Sequence, residues 1–289
     1  MVPPLLPPTL VVHRAALGDT ILIWPFLRTL GHAALISDLA KARLCARFLP
    51  HIVPLEIETA RWNSLWSLHD PVSPGEADPA VTRIVSFIAP CDSSWARNVR
   101  RLFPHADLQF LPTKPPIRMG DLHTPFRDPT SNPSSHAGAI FHLGAGSHSK
   151  RWSFSRSFDF VRRCRAHLPI NLLAGPVEME QMSADDRETF TLLGGAVPNI
   201  LDDLVDLLNA SSLFIGFDSG PTHLAGALGV PTMVLFGPTD PSLWRPNGRD
   251  VRVLAPPAMA VDMGWLSPEE VVSWVMGRAG ERQSSIREP

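Results

Sequence analysis

The 289-residue sequence predicts an α/β protein built from two Rossmann-like domains that face each other across a cleft. Three observations carry that expectation. Short apolar strand candidates alternate with helix-like segments from Thr9 to Ala89, and again from Ala139 to Gly237. Each half opens with a strand, a glycine-bearing turn and a helix. Between the halves, Lys114 to Ala137 is rich in Pro, Ser, Asn and Asp and loses periodicity, which reads as a linker. The boundaries are placed at 1–135 for the first domain and 136–265 for the second, with 266–289 as a C-terminal helix able to pack back on the first.

In the first half, Thr9 to His13 is a strand, Arg14 to Asp19 a turn and Ile21 to Leu30 a helix. Strands at Ala33 to Ser37 and Ile52 to Ile57 flank a helix at Lys41 to Leu49, and Arg83 to Ala89 is a further strand. In the second half, the strand Ala139 to Gly144 leads to a helix around Ser157 to Leu168 and a strand at Ile170 to Gly175. One helix over Glu178 to Leu193 and another over Leu201 to Ser211 follow. The strand Leu213 to Phe217, the small-residue helix Thr222 to Gly229 and the strand Thr232 to Gly237 make one βαβ unit. The last helix has Ser267 as cap, Pro268 at its first position and Glu269 and Glu270 in its first turn.

Bulk properties exclude several classes. A net charge of -2 and a pI near 6.6 give no reason to expect a nucleic-acid partner. Cys45, Cys91 and Cys164 are odd in number and far apart, so neither a disulfide framework nor a CxxC zinc site is expected. No apolar run is long enough to span a bilayer, and the proline-interrupted, acid- and base-free start lacks the basic region of a secretion signal. The expected location is the cytoplasm, with peripheral attachment to the inner membrane compatible.

Chemistry concentrates in three turns. Asp218, Ser219, Gly220, Pro221, Thr222 and His223 follow a strand and open a helix, so free backbone N–H groups and a positive helix end converge on one point. That geometry favours a phosphate. Asp218 would repel it and suits a sugar hydroxyl or neighbouring amides, while His223 points at the same mouth. The plainer alternative is a capped turn with a surface histidine. An Asp-Ser-Gly nucleophile is disfavoured, because a strand and a helix flank it and no G-x-S-x-G elbow is present.

The second turn runs from His142 to Trp152 and offers Gly144 and Gly146 for close approach of backbone, with Lys150 and Arg151 for charge. Ser149 stands where the third glycine of G-x-G-x-x-G belongs, so a nicotinamide enzyme is disfavoured. In the third turn Asp19 is either a general base facing the cleft or a helix N-cap, and the two roles are compatible. No metal-binding pattern occurs, so a diphosphate would be neutralised by Lys, Arg and helix dipoles.

The run Gly216 to Pro246, with Leu17-Gly18-Asp19-Thr20 and Pro25, FHLGAGSHSKRW and LLAGPVE, closely resembles the family 9 glycosyltransferases, the lipopolysaccharide heptosyltransferase family. The resemblance implies a GT-B fold with an N-terminal acceptor domain and a C-terminal nucleotide-sugar domain. It makes Asp19 the catalytic base, Lys150 a phosphate ligand, and Asp218, Ser219, Gly220 and His223, with Pro221 and Thr222 between them, the loop around the donor. Glu178 would bond the ribose, with Glu180 close enough to compete. Ala145 and Gly146 replace threonines of some members, so phosphate contact there would come from backbone. Arg14, Arg97, Arg100 and Arg101 are offered to an anionic acceptor.

The resulting expectation is an inverting, metal-independent glycosyltransferase moving heptose from ADP-heptose to a glycan or glycolipid of the bacterial envelope, with no cofactor beyond that co-substrate. The rivals are a non-catalytic nucleotide-sugar-binding module and a GT-B-like sugar-nucleotide epimerase.

Overall fold

The computed structural model describes residues 6–66, 78–112, 121–126 and 138–285, with backbone only for residue 61 and for 278–285. The chain divides into two compact units, Met1–Leu122 and His123–Pro289. Most of the linker expected at 114–137, and the first five residues, lie outside the described set.

The first unit is a five-stranded parallel sheet of β1 (Thr9–Val12), β2 (Ala33–Ser37), β3 (Ile52–Glu56), β4 (Arg83–Ser86) and β5 (Asp107–Phe110), ordered β3-β2-β1-β4-β5. The second is a five-stranded parallel sheet of β6 (Ala139–His142), β7 (Ile170–Leu173), β8 (Leu213–Phe217), β9 (Thr232–Leu235) and β10 (Val251–Leu254), ordered β10-β9-β8-β6-β7. Both are doubly wound Rossmann-like sheets. Central strands β2, β6, β8 and β9 are buried at every position, which is why each reads as a predominantly apolar run, with Ser37, His142 and Thr232 as the buried polar exceptions.

Several features differ from the sequence expectation. The edge strands β5 and β10 and the helix Ser94–Leu102 were not foreseen. Edge strands are half exposed and need no continuous apolar run, and DLQF and VRVL carry polar residues accordingly. The expected helix over 178–193 is two, Pro176–Gln181 and Ala184–Leu192, because Ser183 starts a new one with Asp186 in a capping box. The unit boundary falls at 122/123 rather than 135/136. Residues after it are tied to the second unit, Phe126 donating its N–H to the carbonyl of Ala227 at 2.8 Å.

The final helix, Pro268–Ser285, begins as foreseen, with Ser267 and Glu270 exchanging bonds of 2.8 and 3.2 Å. The sequence left room for it to pack back on the first domain; within the second unit, Val271 and Val275 sit in the core. That core centres on Phe141, whose ring meets Phe160 edge-on at 4.8 Å and neighbours Phe217 and Trp152. Trp152 donates its indole N–H to the carbonyl of Leu266 at 3.2 Å, fixing the far end of the loop that follows β6.

Candidate functional site

In the second sheet β6 lies between β7 and β8, so the chain leaves β6 to one side and returns on the other. Open α/β sheets bind ligands beyond the carboxyl ends of strands at such a reversal. Here the loops after β6 and β8 supply the two motif-bearing turns, held level by the pairing of His142 with Gly216. The helix Gly220–Leu228 starts directly after β8, with Ser219 as N-cap in an extended conformation and no side chain capping its amides. Pro221 has no N–H, so its start presents amides such as those of Gly220 and Thr222. The helix ends at Gly229, whose φ of 81° is a left-handed conformation suited to glycine.

Asp218 is 7% exposed and engaged by three side chains. One carboxylate oxygen, Oδ2, accepts from Lys150 Nζ and Thr239 Oγ1, each at 2.9 Å, and Oδ1 lies 3.5 Å from His223 Nε2. Burial alone would raise the Asp218 pKa, but the hydrogen bonds and charges of His223 and Lys150 outweigh it and hold the carboxyl at about 2. Asp218 was expected to take a sugar hydroxyl or neighbouring backbone amides; the partners the structure gives it are these three side chains. Lys150 was expected to be a phosphate ligand; its ammonium is seated on Asp218, so an anion arriving there would share a pre-oriented cation. Thr239 was missed, although its place just beyond β9, next to β8 in the sheet, is a signal a topology-aware reading could use.

Ser219 Oγ lies 2.9 Å from Thr222 Oγ1 and 3.2 Å from His142 Nδ1, and Thr222 donates to the carbonyl of Phe217 at 2.6 Å. His142 was quoted in the loop but not counted as a site residue. Burial pushes its pKa down to about 4 against the opposing pull of Glu178.

Glu178 is buried and Glu180 exposed, which separates the two carboxylates the sequence left open. Glu178 accepts the Gly175 N–H at 2.8 Å and lies beneath Gly144. A Cβ at Gly144 would collide with the Glu178 carboxylate and come within 2.9 Å of His142 Cε1. Gly144→Ala therefore displaces Glu178, and nucleoside-diphosphate affinity measured by calorimetry is expected to fall by about tenfold, the cost of one lost hydrogen bond to a charged group. Gly146 is exposed with open space around it, as close approach of a ligand to its backbone requires. Arg151 points elsewhere, bonding Gln181 and the His148 ring, each at 2.9 Å, and lying over the Phe154 ring.

Asp19 belongs to the first unit, in the short helix Leu17–Leu22. It is not the N-cap: Ala16 holds that position, and Asp19 is the acidic residue of the first turn, half-buried. The turn is braced by Thr20, which donates to Ala16 O at 3.1 Å and lies 3.3 Å from His13 Nδ1, and by Lys41, which donates to Ala15 O at 2.8 Å. The arginines offered to an acceptor are partly engaged. Arg14 pairs with Glu58 at 2.8 Å, while Arg97 and Arg100 donate to the carbonyls of Asp92 and Cys91, each at 2.9 Å. Arg101 is exposed.

The family model described as glycosyltransferase family 9 (heptosyltransferase) matches residues 97–260, more than half of the chain and the whole of the switch-point site. The chain belongs to that family. Lipopolysaccharide heptosyltransferase 3 of Escherichia coli is 45% identical over 56 residues, a match covering 19% of this family 9 chain and 16% of that relative. The E. coli heptosyltransferase WaaC, solved with ADP, superposes with a TM-score of 0.63 at 14% identity, over 93% of this chain and 99% of that one. E. coli ADP-heptose LPS heptosyltransferase II gives a TM-score of 0.64 at 17% identity, over 95% and 99%. These likenesses fix the fold as GT-B. No helix among the described residues is long and apolar enough to cross a membrane.

Proposed function

We propose that this family 9 chain is an inverting, metal-independent glycosyltransferase that moves heptose from ADP-heptose to a glycan or glycolipid acceptor of the bacterial cell envelope. The observation that carries the reading is the convergence, at one switch point, of the uncapped start of the Gly220–Leu228 helix with the Lys150–Asp218 pair. The reading of donor sugar and nucleotide is supported by relatives whose names include heptosyltransferase, ADP and ADP-heptose.

In this mechanism Asp19 removes the proton of an acceptor hydroxyl, and that oxygen attacks the anomeric carbon as the bond to the diphosphate breaks. A single displacement inverts the anomeric configuration. Negative charge developing on the leaving diphosphate is met by Lys150 and the amides at the helix start, preorganised groups that need no rearrangement as charge builds. Glu178 holds the ribose. The nucleotide-sugar is a co-substrate, with no resident cofactor, and the reaction takes place in the cytoplasm at the inner face of the membrane.

The test is thermal unfolding with ADP, UDP, GDP and TDP and their sugars. ADP and ADP-heptose are expected to raise stability by about 2.7 kcal/mol at a hundredfold excess over Kd. Stabilisation by none of them overturns the donor site. ADP-heptose incubated without acceptor should be recovered unchanged; its conversion would identify an epimerase instead.

A further inference from the structure

We propose that His142 is a positioning residue, held as the neutral Nδ1–H tautomer, which turns the Ser219 hydroxyl inward so that the donor diphosphate meets backbone amides at the helix start and not the serine side chain. The inference rests on the donor reading above and goes beyond it by assigning His142 a role and removing one from the Ser219 hydroxyl.

The argument is a count of protons. Thr222 has one hydroxyl hydrogen, and it goes to the carbonyl of Phe217 at 2.6 Å, a group that can only accept. The 2.9 Å contact between Thr222 and Ser219 must then be donated by Ser219. Ser219 has no second hydrogen, so at its 3.2 Å contact with His142 the ring Nδ1 is the donor. The direction of the whole chain, His142 to Ser219 to Thr222 to Phe217, is fixed by the carbonyl at its end. The same count rules out Ser219 as a nucleophile activated by His142, because the imidazole faces it with a proton rather than a lone pair.

The surroundings suit this tautomer. His142 is 5% exposed and its ring stacks on Phe214 with centroids 6.4 Å apart. Gly216, with no Cβ, leaves the room that Thr222 Oγ1 occupies, since a Cβ there would lie 2.8 Å from it. Burial keeps the ring neutral at pH 7. Ser219 is thereby held by two side chains at the point where the strand becomes the helix, and the first-turn amides keep their aim without a side-chain cap competing for them.

Two measurements on the full chain test this. In the first, the ring nitrogens of ¹⁵N-labelled histidine are observed by NMR at pH 7, with the His142 signal assigned by its loss in His142→Asn. The expected result is a neutral ring protonated at Nδ1; protonation at Nε2, or a charged ring, overturns the inference whatever the protein binds.

In the second, ADP is titrated by calorimetry. His142→Phe and Ser219→Ala are each expected to weaken ADP by about tenfold, and the double variant no further than Ser219→Ala alone. His142→Asn, whose amide nitrogen stands in for Nδ1, should stay within about threefold of the native chain. Additive losses, or no rescue by Asn, show that His142 does not act through Ser219 and overturn the inference. A native chain that binds no ADP counts against the donor reading, while the tautomer result stands on its own.

Discussion

Asp19→Asn lowers glycosyl transfer by about 100- to 10,000-fold, the usual contribution of a positioned general base, while ADP affinity stays near that of the native chain. The reasons lie in where Asp19 sits. It is in the first turn of Leu17–Leu22 but is not the N-cap, a position held by Ala16. Its favourable interaction with the helix dipole is about 0.3–1 kcal/mol, and asparagine keeps the shape. The groups proposed to bind the diphosphate, Lys150 and residues 218–223, belong to the other compact unit. A base gives up activity without affinity; a binding module gives up neither. The decisive measurement is turnover of ADP-heptose with an acceptor beside ADP calorimetry on the same preparation, and undiminished turnover reduces Asp19 to a helix-turn residue.

Which parts of this site could be read from sequence follows from how each contact is encoded. The turn at Asp218 and the loop at Lys150 were legible because glycine, proline and short polar residues punctuate apolar strands, and β8 and β2 were bounded correctly because every position in them is buried. The bonds between those turns were not legible. Lys150 and Asp218 are 68 residues apart and His142 and Ser219 are 77 apart, brought together only because β6 and β8 pair in register. Thr239 reaches Asp218 for the same reason, through β9. Local pattern names candidate groups, and sheet order decides which of them meet. That is why the sequence named Asp218 but not its partners Lys150, Thr239 and His223.

The stability of each unit falls as pH drops from about 6.5 to about 4, and one histidine in each is responsible. His13 in the first unit and His142 in the second are 1% and 5% exposed, and burial lowers both from an ordinary 6.5 to about 4. Lys41 adds to the effect at His13, whereas Glu178 opposes it at His142 without reversing it. Above pH 6.5 both rings are neutral folded or unfolded, and neither contributes a pH dependence. Between the two values the unfolded chain takes up a proton that the folded chain refuses, so stability declines with falling pH. Each pKa unit is 1.36 kcal/mol, and each histidine therefore accounts for about 3 kcal/mol by pH 4. Asp218 extends the decline in the second unit alone. Its folded value of about 2 lies below the ordinary carboxylate range, so its contribution is complete above about pH 4 and lost as pH falls toward 2. Hydrogen exchange read separately on peptides from the two units at pH 7, 5.5 and 4.5, corrected for intrinsic rates, checks the assignment. His13→Asn should flatten the slope in the first unit only and His142→Asn in the second only. A native chain whose protection is unchanged over this range would mean that both rings take up protons while folded, and the assignment of the decline to His13 and His142 would be wrong.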